Sequence, residues 1–279
     1  MTHRAARTVL VLAALLAGAS AVVAVAAPPA PQHIPIPENP TPIPPEPVAV
    51  PPPSGPCPDP RMRCPDLIVR RPSELKVLRS PSGRLRLGSR NILVNRGAGP
   101  MYLLGQRLGD RTMTVRQRIY TTSGTHQDLA LDRARFDFWT IPVPPGKGRF
   151  WKLRDGLRFE LWTAGGPIDR LVKVGRKTRF CMRDLRQVPG RPGPRTRRFP
   201  ACNQSPDKQV VRMGISVGWY ESYPAFYYEQ YVDISGLVGC YSLRHVADPL
   251  GQIFESDESN NTSQTRVLLP PRRGRIRGC

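Results

Sequence analysis

Between Asp66 and Leu269 apolar and polar residues alternate in short runs, and no stretch holds a helical 3.6-residue spacing for more than about two turns. That pattern suits half-buried strands, because side chains alternate across a strand but return to one helix face only every third or fourth residue. The runs "DLIVRR", "RLRLGSRNILVNRG", "MYLLGQ", "TMTVRQRIY", "RFDFWTIPV" and "GLRFELW" are separated by Gly, Pro, Asp and Asn. So are the later "DRLVKVG", "TRFCMRD", "YYEQYVDIS", "CYSLRHVAD" and "TSQTRVLL". "GAGP" and the Ser123, Gly124 pair read as turns. The predicted class is all-β, a β-sandwich with irregular loops and no internal repeat.

Both ends depart from this pattern. Arg4 and Arg7 precede the apolar run "TVLVLAALLAGASAVVAVAA", and Ala24 and Ala26 offer a small-residue cleavage site, so residues 1–27 read as an export signal. Left uncleaved, the same run is long enough to serve as a membrane anchor. Residues 28–56 are rich in proline, which removes backbone donors and favours an extended spacer. The globular domain is expected over 57–271, with 272–279 as a mobile basic tail.

An exported chain with six cysteines and no C-x-x-C pair points to disulfides rather than metal thiolates. Cys57 with Cys64 would close a short loop, and Cys181 with Cys202 would bracket the basic insert "QVPGRPGPRTRRFP". Cys240 and Cys279 are then either paired or free. The formal charge of +21 sets up a long-range positive field. For an exported chain the expected partners are anionic cell-envelope polymers or acidic proteins, not nucleic acid; a solvated Arg-rich surface is the plainer account. The location expected is secreted or cell-envelope, with a membrane contact only if the signal run is kept.

Hydrolytic and nucleotide chemistries find little support. The domain holds two histidines, His126 and His245, with no G-x-S-x-G elbow and no Gly-rich phosphate loop. "ESDESNN", from Glu255 to Asn261, concentrates hard oxygen donors that suit calcium, although Asp and Asn in a polar turn also bond their own backbone. "GISVGWYESYPAFYYEQYVDI" gathers aromatic side chains, which core and rim packing would explain.

Taken together and in order, "LRLGSRNILVNRGAGPMYLLG", "MTVRQRIYTTSG", "RKTRFCMRD", "GISVGWYESYP", "EQYVDISGL" and "ADPLGQIFESDESNN" resemble the lysyl oxidase family in its bacterial form. The resemblance runs from about Cys64 to Leu269 and implies a β-sandwich that oxidises primary amines with copper and a lysine tyrosylquinone. It implies Lys177, four residues before a cysteine, and Tyr223 as the lysine and tyrosine of that quinone; otherwise they are an exposed strand lysine and one more packed tyrosine. It also implies a structural calcium site from Asp66, the Leu67 carbonyl, Glu255, Asp257, Asn260 and Asn261, joining the first strand to the last.

One segment departs from the family. The copper ligands are three histidines in an H-x-H-x-H pattern just before a strand like "DGLRFEL", and alignment on that strand puts Gly148, Phe150 and Lys152 at their positions. Glycine has no side chain, phenylalanine no donor atom, and lysine ordinarily carries a proton where a ligand needs a lone pair. His126 and His245 alone make a poor cupric substitute. Without copper, Lys177 and Tyr223 are expected to stay unmodified. The expectation is a domain without copper or amine oxidase activity, serving as a calcium-stabilised binding or structural module. Its rival is an active protein-lysine 6-oxidase.

Overall fold

The computed structural model describes residues 57–166 and 168–279; the export signal expected over 1–27 and the spacer over 28–56 lie outside the described residues. In chain order the strands begin with β1 (Met62–Arg63), β2 (Leu67–Val69), β3 (Ser73–Arg79), β4 (Leu85–Asn95), β5 (Met101–Gly109) and β6 (Thr112–Thr121). They continue with β7 (His126–Ile141), β8 (Gly148–Arg154), β9 (Leu157–Thr163), β10 (Leu171–Val174), β11 (Arg179–Phe180) and β12 (Arg186–Gln187). The last are β13 (Val210–Ile215), β14 (Trp219–Tyr223), β15 (Tyr231–Asp233), β16 (Gly239–Ala247), β17 (Thr262–Arg272) and β18 (Arg275–Arg277). No helix occurs among the described residues, so the all-β expectation holds.

Alternation in the sequence becomes alternation of burial. Along β6, Met113, Val115, Gln117 and Ile119 are buried, while Thr114, Arg116 and Arg118 between them are not. Three antiparallel sheets result. The first runs β11-β8-β7-β6-β5-β13, with β1 on β6; the second runs β10-β9-β16-β17-β18; the third runs β12-β14-β4-β15, with β2 and β3 also on β4. One core joins them: Phe136, Trp151 and Leu153 from the first sheet, Leu161, Leu243 and Val267 from the second, Leu93 and Tyr223 from the third. Truncating a fully buried ring such as Phe136 to alanine would cost ~3–5 kcal/mol.

The pairs Cys57–Cys64 and Cys181–Cys202 form as expected, and Cys240–Cys279 completes the set. The expectation of a frayed tail over 272–279 needs correcting. Residues Arg275–Arg277 add a strand to β17, and Cys279 is bonded to Cys240 on β16. The alternation that would have revealed this strand is hidden because its side chains are mostly arginine. Among the described residues no helix is long and apolar enough to cross a membrane.

Candidate functional site

Strand β8 carries the segment "GRFWKLR". Its two-residue period puts Trp151 and Leu153 on the core side, both fully buried, and turns Gly148, Phe150 and Lys152 to the opposite face. Lys152 is nevertheless only 1% exposed. Its Nζ has no hydrogen-bond partner and lies 5.8 Å from the centre of the Phe150 ring and 5.7 Å from that of Tyr227.

Tyr227 is the hinge of the site. Lys177 Nζ also lies near it, 4.7 Å from the ring centre, and 4.8 Å from the centres of Tyr223 and Phe180. The structure therefore brings together the lysine and tyrosine of the expected quinone and the last of the three copper positions. Lys177 is fixed from its flanks, where the Gly175 N–H donates to the Phe159 carbonyl and the Arg176 N–H to that of Tyr231. Tyr223 comes from β14, where its partner across the ladder is Asn91 on β4. Its hydroxyl donates to the Cys181 carbonyl and receives the Cys181 N–H, each at 2.8 Å. Tyr227 needs room at Gly146, where the backbone adopts φ 86° and any side chain would collide with the tyrosine hydroxyl.

Charge in this cluster is confined. Glu221, two residues before Tyr223 on the same face of β14, is fully buried and accepts from Arg183 Nε at 3.1 Å. Burial drives its carboxyl up to about 8 despite the Arg183 guanidinium. Burial pushes Lys152 down to about 7, with Glu229 and Glu221 pulling the other way. Lys177 is driven well below its usual range, first by burial and then by the neighbouring Lys152 charge. Burial and the nearby Glu221 raise both phenols, Tyr227 to about 12. Low dielectric thus favours neutral forms throughout.

A copper ion finds no ligand set here. The three expected positions offer a bare backbone at Gly148, a hydrocarbon ring at Phe150 and an amine that would have to shed its proton at Lys152. The two histidines lie in different surroundings. His245 is fully buried, hydrogen-bonded to Ser89 Oγ at 2.8 Å and edge-on to Phe159, whereas His126 is exposed beside Tyr120.

Oxygen donors gather elsewhere, where the first strands meet the acidic turn. The Leu67 N–H donates to Glu255 Oε2 at 2.6 Å, and Asn260 Nδ2 donates to Asp66 Oδ1 and Asp257 Oδ2. Asn261 Nδ2 reaches Glu258 Oε2 at 3.0 Å, while its Oδ1, like that of Asn260, has no partner. Backbone bonds from Cys57 to Glu255 and from Ser256 to Pro65 hold the two segments together. Asp248, Glu255 and Glu258 place one carboxylate oxygen each within 4.8 Å of one another. Burial raises all three carboxyls, Asp248 to about 6 and Glu258 to about 7, and the Asp248 charge adds to the rise at Glu255 and Glu258. An all-oxygen set of this kind fits a hard dication.

Sequence reasoning missed Tyr227, Glu221, Glu229, Asp248 and Glu258. Glu221 was detectable, since two-residue spacing from Tyr223 on a strand puts both on one face. Tyr227 was not, because it sits in the loop after β14 and reaches the site through the fold.

No curated protein gives a significant match to the chain. Residues 159–279, which include Lys177, Tyr223 and the whole acidic turn, match the family model described as Lysyl oxidase. With Lys177 and Tyr223 side by side inside an all-β core, that match means that residues 159–279 carry a lysyl oxidase domain.

Proposed function

We propose that this domain has given up copper and amine oxidase activity and acts as an exported, calcium-stabilised binding or structural module of the cell envelope. The observation that carries this reading is Lys152. A buried amine stands where the family places a nitrogen ligand, and its two companions, Gly148 and Phe150, supply no donor. Copper entering there would have to displace whatever proton the buried amine keeps and would find no further donor in its two companions. Three disulfides suit an oxidising compartment, and the strongly basic composition suits an anionic environment. The acidic cluster around Glu255 offers calcium a way to pin the N-terminal strands to the turn before β17.

A second reading, an active copper-dependent oxidase of primary amines with a lysine tyrosylquinone, is favoured by one observation: the retained proximity of Lys177 and Tyr223. Metal analysis of the purified protein, for copper and calcium together with phenylhydrazine labelling, decides between the two. The first reading expects calcium without copper and no hydrazone. Stoichiometric copper with a labelled quinone would replace it with the second.

A further inference from the structure

A cleft of about 430 Å³ lies among residues that the site above does not use. Its walls are the turn between β4 and β5, the second half of the disulfide-bracketed insert, the turn between β13 and β14, and the paired Arg63 and Tyr120 of β1 and β6. Half of its lining residues are glycine, proline or alanine, and no carboxylate lines it.

Two arginines, Arg63 and Arg198, face this space from different walls and are both exposed. Neither guanidinium has an ion-pair or hydrogen-bond partner among the described residues, although many other arginines of the domain are paired with Asp or Glu. Two unneutralised forks over an apolar floor form a positive site that water alone satisfies in the free protein.

The walls are also held rigidly. Asp184, fully buried, accepts the N–H groups of Arg198 at 2.8 Å, Phe199 at 3.2 Å and Ser216 at 2.7 Å, and the Ser216 hydroxyl at 2.8 Å. Asn95 Nδ2 ties the carbonyls of Gly99 and Ile215 together, both at 2.9 Å. Trp219 Nε1 holds the Pro194 carbonyl, and Gly193 packs so closely on Val217 that no side chain fits there. Preorganisation of this kind lowers the ordering cost of binding.

We propose that this cleft binds a carboxylated polysaccharide, with Arg63 and Arg198 each taking a uronate carboxylate. The Tyr120 ring and the glycine and proline residues of the walls offer apolar surface to the C–H face of a sugar ring, and the two arginines come from different walls, so that each can take a separate charged unit of one chain. The proposal rests on the reading of the domain as an envelope-binding module and names the surface and the ligand class.

The test is titration of the full chain with an oligogalacturonate, a neutral oligosaccharide of similar length and a linear polyphosphate at two salt concentrations. It compares R63S/R198S with R275S/R277S, an equal charge change on β18. The expected result is salt-sensitive oligogalacturonate binding, no binding of the neutral sugar, at least a tenfold loss in R63S/R198S and less than a twofold change in R275S/R277S. Equal losses in the two variants, an unchanged R63S/R198S, or cleft-dependent binding of polyphosphate without oligogalacturonate would each overturn the assignment while leaving the module reading in place. Absence of binding to any anionic polymer would overturn the assignment and that reading together. Thermal melting of both variants verifies that they are folded.

Discussion

Lys177 Nζ lies 4.8 Å from the centre of the Tyr223 ring, and the Tyr223 oxygen is bonded on both sides to the Cys181 backbone. Under the proposed loss of copper, this proximity leaves two ordinary side chains. Digestion after reduction of the disulfides is therefore expected to release the Lys177 and Tyr223 peptides separately at their unmodified masses. One crosslinked peptide carrying a quinone chromophore would contradict the loss of copper chemistry.

The metal segment can be probed by restoring it. G148H/F150H/K152H is expected to gain copper relative to wild type, because β8 turns all three positions to one face. Its affinity should remain modest, since position 148 holds φ 148°, which a histidine adopts only under strain. Inductively coupled plasma analysis of the two proteins reads the difference, and stoichiometric copper in the wild type would defeat the prediction.

Lys152 itself should cost stability. Its amine is buried without a hydrogen bond, so K152M is expected to raise stability by about 1–3 kcal/mol in urea unfolding. The pH dependence gives the sign independently. The unfolded chain keeps this proton up to about 10.5, whereas the folded domain releases it near 7. Over that interval the unfolded state binds more protons and stability rises with pH. Between pH 9 and 10, above the value of about 8 at which Glu221 titrates, K152M should show a shallower rise than wild type.

His245 predicts the acid side of the curve. Burial holds its imidazole down to about 3, against 6.5 in the unfolded chain, so the unfolded state binds the extra proton between those values. Stability attributable to His245 is complete above pH 6.5 and is lost progressively as pH falls towards 3, by a few kcal/mol in all. H245Q, which keeps a donor near Ser89 without a titrating ring, should flatten the slope in that window. An unchanged slope would assign the acid sensitivity to other groups.

Calcium should act on the same domain by mass action. At a concentration a hundredfold above its Kd a ligand specific to the folded state adds about 2.7 kcal/mol, so chelation is expected to lower Tm by several degrees. E255Q should abolish the response to calcium, since Glu255 belongs to both the group around Leu67 and Asn261 and the carboxylate triad. A Tm indifferent to chelator and to calcium would remove the stabilising role.

What could be read from the sequence follows from what period two encodes. "TMTVRQRIY" lies within β6, which alternates between core and solvent, and "RLRLGSRNILVN" covers β4, which alternates only from Ser89 to Leu93 and is otherwise largely buried on both faces. The two-residue β11 and β12, and β18 with its arginines, leave too short or too polar a trace. At the site, motif order was enough to pair Lys177 with Tyr223, but the bridge from Lys152 through Tyr227 exists only in three dimensions. Asp248 sits seven residues before Glu255, and only a loop closed by its own hydrogen bond to the Ile253 N–H brings the two carboxylates together.

The pair of hydrogen bonds between the Tyr223 hydroxyl and the Cys181 backbone also bears on how such a domain drifts. Because Cys181 is held to Cys202 and Tyr223 to β4, the centre of the site is braced by contacts that involve none of Gly148, Phe150 and Lys152. A family member that lost its histidines would keep its shape, and selection for folding would not oppose that loss. On the proposed reading the scaffold is free to be recruited from its outer clefts, while the Lys177 and Tyr223 pair inside it persists as packing.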